Sequence, residues 1–169
     1  MDLKALSHCC LFDGLNEERL KVVVGSLSEK AYRAGEVIVQ EGEVGDELFI
    51  LMEGEVQITK SLTLLHPTGE SDRKDKSLLR LSASTHPFFG EMSLIGKDFA
   101  RSATVTALTK TEFAVLNRKD FLKLGEKHQE IGFAIIFNIA RVLCDRLRKA
   151  NQDILKLTTA FSLALETGR

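Results

Sequence analysis

The chain has 169 residues, a formal net charge of −1 and an apolar fraction of 44%. That length suits one domain able to bury a full core. The near-neutral charge gives no global field toward nucleic acid or an anionic membrane.

The opening MDLKALSHCC lacks the extended apolar core of a signal peptide. Residues 2–10 and 15–26 then read as two short helices. Asn16 is placed to cap the second. Glu17 and Glu18 put negative charge in its first turn, where the helix dipole favours it. Leu20, Val23, Val24 and Leu27 recur at helical spacing. The adjacent Cys9 and Cys10 read as small buried hydrophobes at a helix end. With Cys144 they make an odd count without disulfide-type spacing, which points to reduced thiols in a cytoplasmic compartment.

From Glu29 the pattern changes. Residues 37–39, 48–52 and 56–59 are short β-rich runs divided by Gly35, Gly42, Gly45 and Gly54. Short strands at close spacing fit an antiparallel barrel, jelly roll or sandwich. Residues 66–77 are polar and turn-rich and are expected to form an exposed hairpin loop. Strand resumes at 78–81. Residues 102–108 and 112–116 read as a last hairpin, turning at Thr109, Lys110 and Thr111. Residues 118–124 form a short helix with Phe121 inward.

The last forty residues are helical. Ile136, Ile139, Leu143, Leu147, Ala150, Ile154, Leu157, Phe161 and Leu165 follow one another in steps of three or four. A helix of this length reaches roughly 50 Å, beyond what one small β-fold covers. Excess apolar stripe buries against a partner, and the simplest partner is a second copy across a two-fold axis. The alternative is a helix that breaks near Asn151 and packs on its own domain. The run from Ile131 to Ala140 is interrupted by Asn138 and is too short to span a bilayer, so no membrane role is expected.

Chemistry concentrates between residues 89 and 105. Gly90 lets backbone approach a ligand closely. A helical turn beginning at Glu91 aims N–H groups outward, which favours an anion. Arg101 can meet a phosphate with a fork of donors and a permanent charge. Its plainer alternative is a surface ion pair with Glu91 or Asp98. Ionised Glu91 accepts hydrogen bonds only, so it suits a sugar hydroxyl better than a phosphate. Together these features describe a pocket for a ribose phosphate carrying one negative charge. Metal-ligand spacing is absent, His8, His66, His86 and His128 are scattered, and no nucleophile elbow or phosphate loop occurs, so neither catalysis nor a metal or cofactor is expected.

The run Phe89-Gly90-Glu91-Met92-Ser93-Leu94-Ile95 followed by Arg101-Ser102-Ala103-Thr104-Val105 resembles the phosphate-binding cassette of the cyclic-nucleotide-binding domain family. That family includes catabolite activator proteins, regulatory subunits of cyclic-AMP-dependent kinase and nucleotide-gated channels. Phe12 to Leu15, Gly35, Glu41 to Asp46, Phe49 to Leu51 and Gly54 to Val56 resemble its early strands and turns in the usual order. The likeness spans roughly residues 10–150.

The resemblance implies an α+β, mainly β fold: an antiparallel double-stranded β-helix, or jelly-roll-like β-roll, with short N-terminal helices and a long C-terminal helix. It implies a single domain over 1–169, with N-terminal helices to about 28, the roll over 29–117 and helices over 118–169. The implied ligand is cyclic AMP, possibly cyclic GMP. Its phosphate would meet Arg101 and the N–H groups of Met92 and Ser93, and its ribose 2′-hydroxyl would meet Glu91. Ser102 matches the catabolite activator subfamily and can reach a phosphate oxygen or a base. Arg146 lies near the family's lid position, where a guanidinium stacks on the base; a solvated arginine near Asp145 and Asp153 is the alternative.

The implied role is a sensor that signals through movement of the C-terminal helix. Two rivals stand beside it: a dimerisation or scaffold module without ligand, and the sensor fragment of a transcription regulator. The chain ends about where a catabolite activator relative begins its helix-turn-helix, so nucleic acid is not an expected partner.

Overall fold

The computed structural model describes residues 2–65, 71–96 and 100–167. The chain opens with α1 (Leu3–Ser7), a 3-10 turn (Cys10–Phe12) and α2 (Glu17–Val24), so the two expected helices are shorter than the sequence pattern implied. Asn16 caps α2: its Oδ1 accepts from the Arg19 N–H at 3.0 Å. Cys9 is buried but Cys10 is exposed, so the pair is not a joint core feature. The 3-10 turn between α1 and α2 rotates the two neighbours to opposite sides.

The strands are β1 (Ser28–Tyr32), β2 (Val37–Val39), β3 (Glu47–Glu53), β4 (Glu55–Leu65), β5 (Ser71–Ser82), β6 (Phe88–Phe89), β7 (Thr104–Ala107) and β8 (Thr111–Asn117). The helices α3 (Glu91–Ile95), α4 (Arg118–Lys127) and α5 (Gln129–Thr167) complete the chain. Two four-stranded sheets form, in the orders β1-β8-β3-β6 and β2-β7-β4-β5. This is the antiparallel jelly-roll-like β-roll that the resemblance implied.

The loop expected over 66–77 does not include 71–77: β5 begins at Ser71 and pairs antiparallel with β4 from Leu65↔Ser71 to Glu55↔Ser82, with one shift of register between Ile58 and Thr59. An antiparallel ladder needs only backbone groups, so a polar hairpin carries no apolar alternation to reveal it. Residues 66–70 of that expected loop lie outside the described residues.

Strands β3, β6 and β8 of the first sheet are apolar on both faces. Phe49, Leu51, Phe89, Phe113 and Val115 point into the roll, where they meet Val39, Val56 and Val105. Leu48, Ile50, Phe88, Ala114 and Leu116 point the other way, onto Leu6, Leu11, Phe12, Leu20, Phe121, Ile131, Ile135 and Ile139 of the helical layer. That double burial explains why residues 48–51 and 113–116 read as continuous apolar runs. Inside the roll, the Phe49 and Phe89 rings stack at 5.3 Å and Phe113 meets both edge-on.

Asn117 caps α4, accepting from the Asp120 N–H at 2.8 Å, and α4 runs on to Lys127. A Cβ placed on Gly132 of α5 would lie 2.8 Å from the Gly125 Cα of α4, so the two helices cross at van der Waals contact there. At 39 residues α5 extends about 58 Å. It does not break at Asn151. The stripe read from its sequence divides along the length of the helix. Ile139 is buried against its own domain, whereas Leu147, Ile154, Leu157, Phe161 and Leu165 are exposed. Asn138, which interrupted the apolar run in sequence, is buried and donates to the Leu11 and Asp13 carbonyls at 3.0 and 2.9 Å.

Candidate functional site

Gly90, Glu91, Met92, Ser93, Arg101, Ser102 and Arg146 all line one hollow of about 120 Å³, closed beneath by Val39, Ile58, Phe89 and Val105. Those apolar residues come from both sheets, so the hollow opens between the two walls of the roll. It is narrower than the roughly 300 Å³ at which small-molecule pockets usually begin.

Gly90 adopts φ +89, a left-handed conformation, and α3 starts from it. A Cβ here would lie 2.5 Å from the Glu47 carbonyl oxygen and 3.0 Å from Arg101 Nη1. The glycine is therefore required by its backbone angle and by the approach of β3 and Arg101. What a side chain would obstruct first is the protein's own backbone, not a ligand. The Gly90 carbonyl accepts from the N–H groups of Ser93 and Leu94 at 3.1 and 3.2 Å. The Ser93 N–H, expected to serve a phosphate, is thus already engaged. The Ser93 side chain is buried and Met92 is exposed, so the methionine does not pack in the core.

Arg101 lies in the turn before β7 and not within the strand. It is 7% exposed. Nη1 donates to the Glu47 carbonyl at 2.8 Å, and the guanidinium carbon lies 5.7 Å from the centre of the Phe49 ring. Burial lowers its pKa from the usual guanidinium value, against the opposing influence of the Glu47, Asp46 and Glu43 carboxylates. The surface ion pair with Glu91 does not form; Asp98, the other candidate, lies outside the described residues. Gly45 makes room for the arginine, since a Cβ there would fall 2.5 Å from Nη2 and 2.6 Å from Nε. Ser102 is exposed at the rim.

Glu91 is 4% exposed. One carboxylate oxygen, Oε1, accepts from Arg146 Nη1 at 2.5 Å. The other, Oε2, is buried without a hydrogen-bond partner among the described residues. A buried carboxylate oxygen left unpaired is costly, so a donor placed against this atom would be favourable. Arg146 also donates to the Phe88 carbonyl at 3.0 Å and lies over the Phe88 ring at 5.8 Å. Its partner is therefore the cassette glutamate, not the neighbouring Asp145, which pairs with Arg148. Nor is it poised to stack on a base here.

One residue of this neighbourhood was missed from sequence. Arg118, the first residue of α4, donates from Nη1 to the carbonyls of Leu94 and Gly96 at the far end of α3, at 2.6 and 3.1 Å. The available signal was a cation in the first turn of a helix, where the helix dipole disfavours it.

A family model for the cyclic nucleotide-binding domain matches residues 29–128. The chain belongs to that family. It is 37% identical over 125 residues to a cyclic nucleotide-gated potassium channel of Rhizobium etli, covering 74% of this chain and 30% of the channel. It spans a smaller share still of the cyclic-GMP-dependent protein kinases it matches. The crystal structure of the Thermus thermophilus catabolite activator protein superposes with a TM-score of 0.72 at 28% identity, over 88% of this chain and 63% of that one. The regulatory domain of Toxoplasma gondii cyclic-AMP-dependent kinase, solved with cyclic AMP, superposes with a TM-score of 0.56 at 27% identity, over 72% of this chain and 42% of that one. Among the described residues no helix is long and apolar enough to cross a membrane, and no three metal-ligating side chains cluster.

Proposed function

We propose that the chain is a sensor module that binds cyclic AMP, or cyclic GMP, and signals through its C-terminal helix. The observation that carries this reading is the cassette carboxylate: Glu91 is buried, and its Oε2 faces no donor among the described residues. A ribose 2′-hydroxyl supplies that donor. The cyclic phosphate meets Arg101 and the outward N–H groups at the start of α3. Arg101 is buried and anchored through Nη1 to the neutral Glu47 carbonyl, and no ion pair joins it to a carboxylate among the described residues. Cyclic GMP presents the same ribose phosphate; the lean toward cyclic AMP comes from relatives such as the Toxoplasma kinase domain.

The hollow is too narrow for a nucleotide while Arg146 forms one wall. Entry therefore requires α5 to shift, and a nucleotide that binds the shifted arrangement better draws the equilibrium toward it. The exposed face of α5 supports a dimeric readout. Phe133, Phe137, Ala140, Cys144, Leu147, Asn151, Ile154, Thr158, Phe161 and Leu165 follow in alternating steps of four and three, the spacing of a left-handed coiled coil. The occupant we assign to it is a second copy of this chain, in the cytoplasm.

Calorimetric titration with cyclic AMP and cyclic GMP, with a cyclic dinucleotide as control, tests the reading. Arg101→Ala removes a charged hydrogen bond worth roughly 1.5–3 kcal/mol and should weaken binding about tenfold or more. Unchanged affinity in that variant refutes the phosphate assignment. A ligand-free scaffold of the same fold would give no heat with either nucleotide and no thermal shift.

A further inference from the structure

Arg118 is a half-buried cation at an unusual place. It opens α4, and its own N–H donates to the Asp46 carbonyl at 3.0 Å. A positive side chain in a first helical turn faces the positive end of its own helix dipole. The guanidinium instead reaches across to α3 and holds the Leu94 and Gly96 carbonyls, two acceptors that the end of α3 leaves without intrahelical partners. The short helix is thus gripped at both ends by arginines from the helices that follow it. Arg146 of α5 takes Glu91 at its first residue, and Arg118 of α4 takes its last turn.

The two helices so attached are themselves locked together where Gly132 meets Gly125. Leu94, whose carbonyl Arg118 holds, has its side chain buried in the helical layer beside Phe121, Leu124 and Ile131. Any displacement of α3 must carry the Arg118 guanidinium with it or break both of its hydrogen bonds.

We propose that Arg118 is a positioning residue that couples the state of the cassette to the orientation of α4 and α5. The proposal rests on the nucleotide-binding reading above. Arg118 does not line the hollow, and its guanidinium bonds reach the end of α3 at Leu94 and Gly96, which do not line it either. It supplies a second path of coupling beside Arg146: when Arg146 leaves Glu91, Arg118 still ties α3 to the α4–α5 pair.

The test is backbone amide hydrogen exchange along α3, α4 and α5, with and without cyclic AMP, in the unmodified chain and in Arg118→Met and Arg118→Lys. In the unmodified chain cyclic AMP should change exchange in all three helices. Arg118→Met should still bind and still change exchange in α3, but lose most of the response in α4 and α5. Arg118→Lys, which keeps a cation able to donate to both carbonyls, should recover part of it. A full α4 and α5 response in Arg118→Met overturns the proposal, as does an unmodified chain that binds without responding in α4. Should Arg118→Met fail to fold, the neutral Arg118→Gln takes its place: a lost α4 and α5 response supports the coupling, and a full one overturns it. An unmodified chain that binds no cyclic nucleotide sinks the nucleotide reading itself, and is told apart by calorimetry alone.

Discussion

Arg146 holds one oxygen of the Glu91 carboxylate at 2.5 Å, while the other oxygen is buried and has no hydrogen-bond partner among the described residues. The glutamate side chain is 5% exposed and the arginine side chain 47%, so water screens the pair from the α5 side only. Two demands meet on one carboxylate: the helix claims Oε1, and a ligand hydroxyl can claim Oε2.

A ribose that donates to Oε2 should be distinguished from one that cannot. Cyclic AMP is expected to bind about tenfold or more tightly than its 2′-deoxy analogue, the worth of a hydrogen bond to a charged group. In Glu91→Ala that preference should vanish, because the acceptor is gone. Calorimetry with the two nucleotides on the two proteins closes the cycle. A Glu91→Ala protein that keeps the preference places the sugar elsewhere.

Gly45 tests the arginine without altering it. In Gly45→Ala the new Cβ would fall 2.5 Å from Arg101 Nη2. The atoms met are the far end of a flexible side chain, so the guanidinium moves aside and the fold persists. The moved guanidinium leaves the Glu47 carbonyl and the floor of the hollow. Affinity for cyclic AMP should drop while the thermal midpoint changes little. Gly90→Ala should behave oppositely, because its Cβ meets the Glu47 backbone oxygen at 2.5 Å and its φ of +89 is strained for any residue with a side chain. Its loss should appear first in stability. Equal thermal midpoints for the two variants would contradict this division.

The cassette was legible because its chemistry rests on residue types. A glycine, a carboxylate and an arginine at that spacing need no tertiary information to suggest a ribose phosphate, and the structure brings Gly90, Glu91 and Arg101 to one hollow. The roll was legible in strands buried on at least one face. It was not legible in β5, where the sequence of residues 71–77 alternates no apolar residues although the strand pairs with β4. Arg146 was found by position, but its partner was not, since a contact across 55 residues leaves no local pattern. Asn138 illustrates the same gap. In sequence it merely interrupts an apolar run, and only the fold reveals two carbonyls 125 and 127 residues away that satisfy its amide.

Cys9 predicts a pH dependence. Burial pushes its thiol up to about 12 from the ordinary 9.0. Below pH 9 the thiol is neutral in folded and unfolded chains, so its contribution to stability is constant. Above pH 9 the unfolded chain ionises while the folded chain holds its proton until about 12. The unfolded state then binds fewer protons, and stability falls as pH rises, by at most about 1.4 kcal/mol per pH unit. Burial also raises Tyr32, so the slope due to Cys9 is the difference from Cys9→Ala in denaturant titrations below and above pH 9. Equal slopes would remove the assignment. Alkylation of the folded protein at neutral pH should mark exposed Cys10 and spare Cys9.

The proposed pairing of two copies along the outer face of α5 can be tested for both its existence and its direction. Phe133, Leu147, Ile154 and Phe161 are between 60% and 71% exposed, on one stripe that alternates steps of four and three. Sedimentation should therefore give a dimer mass, and Ile154→Glu with Phe161→Glu should give a monomer that still binds cyclic AMP, because both lie on α5 beyond Arg146 and line no part of the hollow. The arrangement is read from Cys144, an exposed thiol on the same stripe. Parallel copies in register set Cys144 beside its counterpart. Antiparallel copies that match residue 133 with residue 165 set Cys144 against residue 154 instead. In a Cys10→Ser background, copper phenanthroline with oxygen should take two electrons and two protons from a pair of Cys144 thiols and form a reducible crosslink only in the parallel dimer. A dimer that does not crosslink is antiparallel or out of register, and a monomer at micromolar concentration ends the coiled-coil reading of the stripe.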